Sequence, residues 1–143
     1  MIGTVLATHG ELGQALIAAM EMIVGAQPQV TALSLQVADR IEDAAERLRE
    51  AVEGADDGDG VLVLTDMLGG TPSNICLSLI GGPRPVEVVS GVSLPMLLKA
   101  VQARRDLDLR ETAGQVKKVG RASIIVASEV LAGPEAPAGG ARS

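Results

Sequence analysis

Residues Val61-Leu62-Val63-Leu64-Thr65 form an unbroken apolar run that ends in Asp66 and follows the turn-forming cluster Gly54-Ala55-Asp56-Asp57-Gly58-Asp59-Gly60. A half-exposed strand would alternate apolar and polar residues. A continuous run bounded by turn signals is what a central parallel strand, covered on both faces, requires. Parallel strands need a crossover between them, usually a helix, so this run commits the chain to alternating strands and helices. The β-branched, apolar opening that stops at Thr8-His9-Gly10 reads in the same way, as a buried strand emptying into a loop. Each of these two strands delivers a polar side chain to its carboxyl end, where open α/β sheets place their sites.

The rest of the chain fits that frame. Leu12, Leu16, Ala19, Met20 and Ile23 recur at helical spacing, and Gly25 stands where a helix would stop. A short second strand is expected between Gln29 and Leu35, with Val30, Leu33 and Leu35 as its apolar residues. Asp39 and Glu42 have capping-box spacing ahead of a helix with Ile41, Ala45, Leu48 and Val52 on one face and a charged, solvated remainder. After Asp66, Thr71 suits an N-cap and Pro72 a first helical position, and Gly81-Gly82-Pro83 ends that helix. Residues 85–90 read as a fourth strand, and Ser93-Leu94-Pro95 opens a helix through Met96, Leu97, Leu98 and Val101. Arg104-Arg105-Asp106-Leu107-Asp108 reads as a charged break, followed by a short helix from about 109 to 119 and a last strand candidate at 122–127. The expected fold is therefore α/β: a mainly parallel, doubly wound sheet of four strands flanked by helices, plus a C-terminal strand. The domain is expected over residues 1–130. Residues 131–143, rich in Pro, Gly and Ala without periodicity, read as a disordered tail.

Composition excludes several function classes. The 143 residues include no Phe, Tyr or Trp, which removes the stacking platforms of single-strand nucleic-acid binders. A net charge of −6 opposes binding to a phosphate backbone. One cysteine, Cys76, rules out an internal disulfide and a Cys-rich metal site, and fits a reducing cytoplasm. As a lone thiol it is read as a small hydrophobe rather than a nucleophile. The aspartates at 56, 57 and 59 lack the ligand spacing and closing glutamate of an EF-hand loop. Without a long apolar span or a cleavable leader pattern, the chain is expected to be soluble and cytoplasmic.

His9 is the only histidine. At a strand end, a lone histidine is as readily a packing or capping residue as a reactive one. The decisive expectation is that the loops after strands one and three meet at a topological switch point, bringing together His9, Asp66 and the amides of the Gly69, Gly70 and Thr71 turn. No Gly-x-Ser-x-Gly elbow and no P-loop occurs, and one His with one Asp is too few ligands for a metal. What remains is His9 as a phosphoryl carrier oriented by Asp66. Backbone N–H groups of Gly70 and Thr71 and hydroxyls of Thr8, Thr71 and Ser73 would receive the phosphoryl oxygens. Neither loop contains Lys or Arg, which suits a site that must release the group it accepts. This chemistry calls for no cofactor and no metal.

These residues resemble a known family. Thr8-His9-Gly10, the stretch Thr65-Asp66-Met67-Leu68-Gly69-Gly70-Thr71-Pro72-Ser73-Asn74 and the segment Gly91-Val92-Ser93-Leu94-Pro95-Met96 together look like the mannose-family enzyme IIA domain of the bacterial phosphoenolpyruvate-dependent sugar phosphotransferase system. The similarity covers about residues 1–128. It implies that His9 accepts a phosphoryl group from the histidine phosphocarrier protein (HPr) and passes it to a IIB component, with the membrane reached only indirectly through IIC and IID. It also implies a homodimer in which residues 122–127 are the candidate for a strand, antiparallel to its neighbour, exchanged between subunits. Met67-Leu68 departs from members with an aromatic residue there, which bears on partner identity. A regulatory phosphoacceptor, a phosphoryl donor for dihydroxyacetone kinase and a non-catalytic dimeric binding module stay open as alternatives.

Overall fold

A computed structural model of the chain describes residues 1–67 and 70–132, the side chains of residues 70–73 excepted. Four strands form one parallel sheet: β1 (Gly3–His9), β2 (Val30–Leu35), β3 (Val61–Thr65) and β4 (Val86–Ser90), in the order β2-β1-β3-β4. Helices α1 (Leu12–Val24), α2 (Ile41–Ala55) and α3 (Gly70–Leu77) follow the first three strands. α4 (Leu94–Ala103), α5 (Leu109–Ala122) and α6 (Ala127–Leu131) follow the fourth. The chain leaves β1 toward β2 and later returns to place β3 on β1's other side, so the switch point lies between β1 and β3.

Each face of the sheet has its own core. Val5, Ala7, Val61 and Val63 meet α2 and α3 through Ala44, Leu48, Val52, Ile75 and Cys76. Leu6, Leu62 and Leu64 meet α1, α4 and α5 through Met20, Leu97, Val101 and Val116. All five residues of β3 are buried, as its continuous apolar run requires for a strand covered on both faces. α1 packs closely because Gly13 has no side chain: a Cβ there would meet Thr8 Oγ1 at 3.1 Å and Leu6 Cβ at 3.2 Å.

Local differences from the expected pattern have physical reasons. The buried stripe of α1 runs through Gly13, Leu16, Ile17, Met20 and Val24, leaving Leu12 and Ile23 exposed, since Gly13 is the point of closest approach. The Asp39–Glu42 capping box does not form. α2 starts at Ile41 with Arg40 as its uncapped N-cap, while the Asp39 carboxylate accepts from the Gln36 N–H at 2.8 Å. A capping box forms instead at Asp108 and Glu111, at the head of α5, which runs on to Ala122. α3 already includes Gly70, so Thr71 lies in its first turn rather than at its N-cap.

The expected C-terminal strand is a correction. Residues 122–127 form the last residue of α5, an unpaired stretch and the start of α6, and no strand of the sheet pairs with them. Ile124, Ile125 and Val126 are exposed. A strand needs a neighbour for its N–H and C=O groups, and among the described residues neither edge strand, β2 or β4, pairs with that segment. Residues 133–143, most of the expected tail, lie outside the described residues.

Candidate functional site

β1 and β3 end side by side, and their last residues and following loops bring His9 and Asp66 into contact. His9 Nδ1 lies 2.9 Å from Asp66 Oδ2, and the His9 backbone N–H donates to the same oxygen at 3.0 Å. The other carboxylate oxygen accepts from the Met67 N–H at 3.1 Å. Partial burial pushes the Asp66 carboxyl up, but the His9 backbone N–H and ring outweigh it and hold its pKa below the usual carboxylate value. Asp66 is therefore an anion at neutral pH, with its side chain only 15% exposed, whereas the His9 side chain is 46% exposed.

An ionised carboxylate can only accept hydrogen bonds, so the neutral imidazole carries its hydrogen on Nδ1. The lone pair then sits on Nε2. The site thus holds a nucleophilic nitrogen on a half-exposed ring, with an anion behind that ring ready to balance positive charge on it.

β2 fixes the turn after His9. Gly10 has φ of 55°, a left-handed conformation that favours glycine. Its N–H donates to the Leu35 carbonyl at 3.1 Å, and its carbonyl accepts from the Ser34 hydroxyl. Nothing in the pattern of the second strand marks Ser34 out, because a serine in a short strand is unremarkable by spacing alone.

The expected phosphoryl contacts are placed less uniformly. Thr8 is fully buried, and its Oγ1 accepts from the Gly13 N–H at 2.8 Å, which ties β1 to the first turn of α1. Gly70 and Thr71 lie in the first turn of α3, a short helix that packs on β1 and β3. The first N–H groups of such a helix have no partners within it and favour an anion. Gly69 and the hydroxyls of Thr71 and Ser73 lie outside the described residues. Cys76, further along α3, is buried, and burial together with the Asp66 charge pushes its thiol up to about 11, away from thiolate chemistry.

Comparison with known proteins bears directly on this arrangement. The family model described as "PTS system fructose IIA component" matches residues 3–117, a span that contains both loops. The chain belongs to this family. The fructose-specific EIIA component of Bacillus subtilis is 30% identical over 131 residues, covering 92% of this chain and 90% of that protein. The mannose-specific EIIAB component of Escherichia coli K12 is 31% identical over 105 residues, covering 73% of this chain and 32% of the longer relative. The crystal structure of an EIIA component from Streptococcus agalactiae superposes with a TM-score of 0.81 at 29% identity, covering 90% of this chain and 98% of that one. As a IIA component the chain is a phosphotransferase of the sugar phosphotransferase system. Among the described residues, no helix of this IIA component is long and apolar enough to cross a membrane.

Proposed function

We propose that His9 of this IIA component carries the phosphoryl group, accepting it from the histidine phosphocarrier protein on Nε2 and passing it to a IIB component for sugar uptake. The observation that carries this reading is the double hold of Asp66 on His9, through Nδ1 and through the backbone N–H. In the accepting step, the Nε2 lone pair forms a bond to phosphorus as the donor's phosphorus–nitrogen bond breaks. The electron pair of that bond returns to the donor imidazole. Nδ1 keeps its hydrogen throughout, so the phosphorylated ring is positive, and the Asp66 carboxylate offsets that charge. The first-turn N–H groups at Gly70 and Thr71 receive the phosphoryl oxygens, joined by the Thr71 and Ser73 hydroxyls and the Gly69 turn. Transfer onward to IIB is the same displacement with His9 as the leaving group.

The reaction takes place in the cytoplasm, between soluble partners. A homodimer is part of the same reading: Ile124, Ile125 and Val126, exposed and unpaired in their own chain, would lie against a sheet edge of a second copy.

Incubation with phosphoenolpyruvate, enzyme I and the phosphocarrier protein tests the site. The expected product is an acid-labile, base-stable phosphoryl adduct on the wild-type chain and none on His9→Ala. Absence of the adduct from wild type with competent donors refutes the carrier role, and its persistence in His9→Ala refutes the assignment of the nitrogen.

A further inference from the structure

We propose that Ser34 is a positioning residue for phosphoryl transfer, acting on His9 through the Gly10 peptide; this rests on the phosphocarrier reading above. Ser34 lies on β2 opposite Thr8 of β1. Its hydroxyl bonds the Gly10 carbonyl, and the next β2 residue, Leu35, accepts from the Gly10 N–H at 3.1 Å. Both backbone polar groups of the residue after His9 are therefore tied to β2.

The direction of the Ser34 bond is fixed by its neighbours. Gln36 Nε2 can only donate, and it lies 2.8 Å from Ser34 Oγ. The Ser34 oxygen accepts there, and its hydrogen goes to the Gly10 carbonyl. Gln36 is itself held, since its backbone N–H donates to Asp39 Oδ2 at 2.8 Å. Arg47 of α2 closes the set, reaching Asp39 Oδ2 from Nη1 at 3.3 Å and donating from Nη2 to the Ser34 carbonyl at 2.9 Å. A continuous run of hydrogen bonds thus links α2 to the loop that follows His9.

Its geometric role follows from the strand order. β1 lies between β2 and β3, so His9 is held from the β3 side by Asp66, and the Gly10 peptide that follows it is held from the β2 side by Ser34. The bond to Asp66 sets the tautomer and one distance, but a ring held at one point can still swing with its backbone. Gly10, in the left-handed region, is where that backbone is least restrained by its own covalent structure. Holding both polar groups of Gly10 removes the swing. Because in-line transfer depends on the placement of Nε2, and a misplacement of ~1 Å can cost on the order of 100-fold, the anchor acts on the transfer step itself.

Single-turnover transfer from the phosphorylated phosphocarrier protein, measured on wild type, Ser34→Ala, Ser34→Thr and Gln36→Ala, tests this. Ser34→Ala is expected to lower the saturating rate about five- to twentyfold, while the half-saturating donor concentration changes by less than about twofold. Ser34→Thr keeps the hydroxyl and restores the rate, and Gln36→Ala, which removes only the bond that orients that hydroxyl, falls between. The His9 Nδ1–H proton signal, sharp in wild type, broadens in Ser34→Ala. A Ser34→Ala rate equal to wild type, a Ser34→Thr rate as low as Ser34→Ala, or an effect confined to the half-saturating concentration overturns the proposal. Should Ser34→Ala fail to fold, Gln36→Ala decides: an unchanged rate overturns the role and a reduced rate at unchanged melting temperature supports it. A wild-type chain that takes no phosphoryl group refutes the carrier reading itself, whereas a labelled wild type with an unaffected Ser34→Ala refutes only the positioning role.

Discussion

The two ends of the parallel sheet treat a buried or half-buried charged group in opposite ways. At the amino end, the Arg104 side chain is 3% exposed, and its guanidinium donates to the carbonyls of Ile2 at 3.1 Å, Gln29 at 3.2 Å and Pro28 at 2.6 Å. Burial, with Arg105 beside it, draws its pKa down from the usual arginine value. Both terminal nitrogens of the group are engaged by backbone carbonyls, while its buried Nε has no partner among the described residues. At the carboxyl end, Asp66 and Ser34 restrain one side of His9 and the following peptide but leave the Nε2 lone pair for chemistry. One end uses a charge to hold loops together; the other restrains a group without saturating it.

Arg104→Leu should break the amino end alone. Three carbonyls lose their donor, at a cost of about 3 kcal/mol in unfolding free energy by denaturant titration, while the transfer rate of the remaining folded protein stays at the wild-type value. A loss of transfer in the folded variant would show that the two ends are coupled. Asp66→Asn is the matching change at the other end. It should leave the fold intact and slow phosphorylation of His9 by about 10- to 100-fold in a quenched time course, because an amide can neither balance the ring's charge nor enforce the Nδ1 hydrogen. Gly10→Ala lies between these cases. A side chain at φ of 55° is strained, so stability should fall by about 1 kcal/mol in thermal melts, with a reduced transfer rate.

The smallest expected difference concerns acid. Asp56 is the amino-end counterpart of Asp66: it accepts from the N–H groups of Gly58 at 2.9 Å and Gly60 at 3.1 Å and pairs with Arg84. The Gly58 N–H above all holds its pKa down, against burial and with help from Arg84. Both carboxyls have folded pKa values below the 3.8 of the free group. Each therefore contributes stability that is fully present above that value and is lost as pH falls through the folded pKa. Asp56→Asn and Asp66→Asn should each flatten the decline in stability below pH 3.8, measured by melts across pH. A flattened curve in only one variant would separate the two ends again.

The contrast also explains what could be read from the residues alone. Four strands, their helices and the meeting of His9 with Asp66 follow from patterns with a strong physical cause: continuous apolar runs, helical periodicity, and polar residues at strand ends. Arg104 was not legible as a buried group, because Arg104-Arg105-Asp106 has the composition of a solvated break and only the fold brings the end of α4 to the carbonyls just ahead of β1 and β2. Asp39 has an N-cap's spacing, yet it serves the preceding turn, since a short acceptor satisfies whichever N–H the chain presents first. Residues 122–127 have the composition of a strand, but composition does not supply an edge to pair with. Ser34 left no trace in the pattern because its partner is a backbone carbonyl, which every residue possesses.

The burial of Cys76 has a practical consequence. The chain has no aromatic residue, so neither intrinsic fluorescence nor near-ultraviolet aromatic signals can follow its opening. Its one thiol faces the core from α3, and burial together with the Asp66 charge pushes its pKa up to about 11. Alkylation at neutral pH must wait for that helix to lift, so the labelling rate of Cys76 is a built-in clock for excursions of the segment that begins at Gly70. Comparing that clock before and after His9 takes up its phosphoryl group would show how much the cargo stiffens its own cradle.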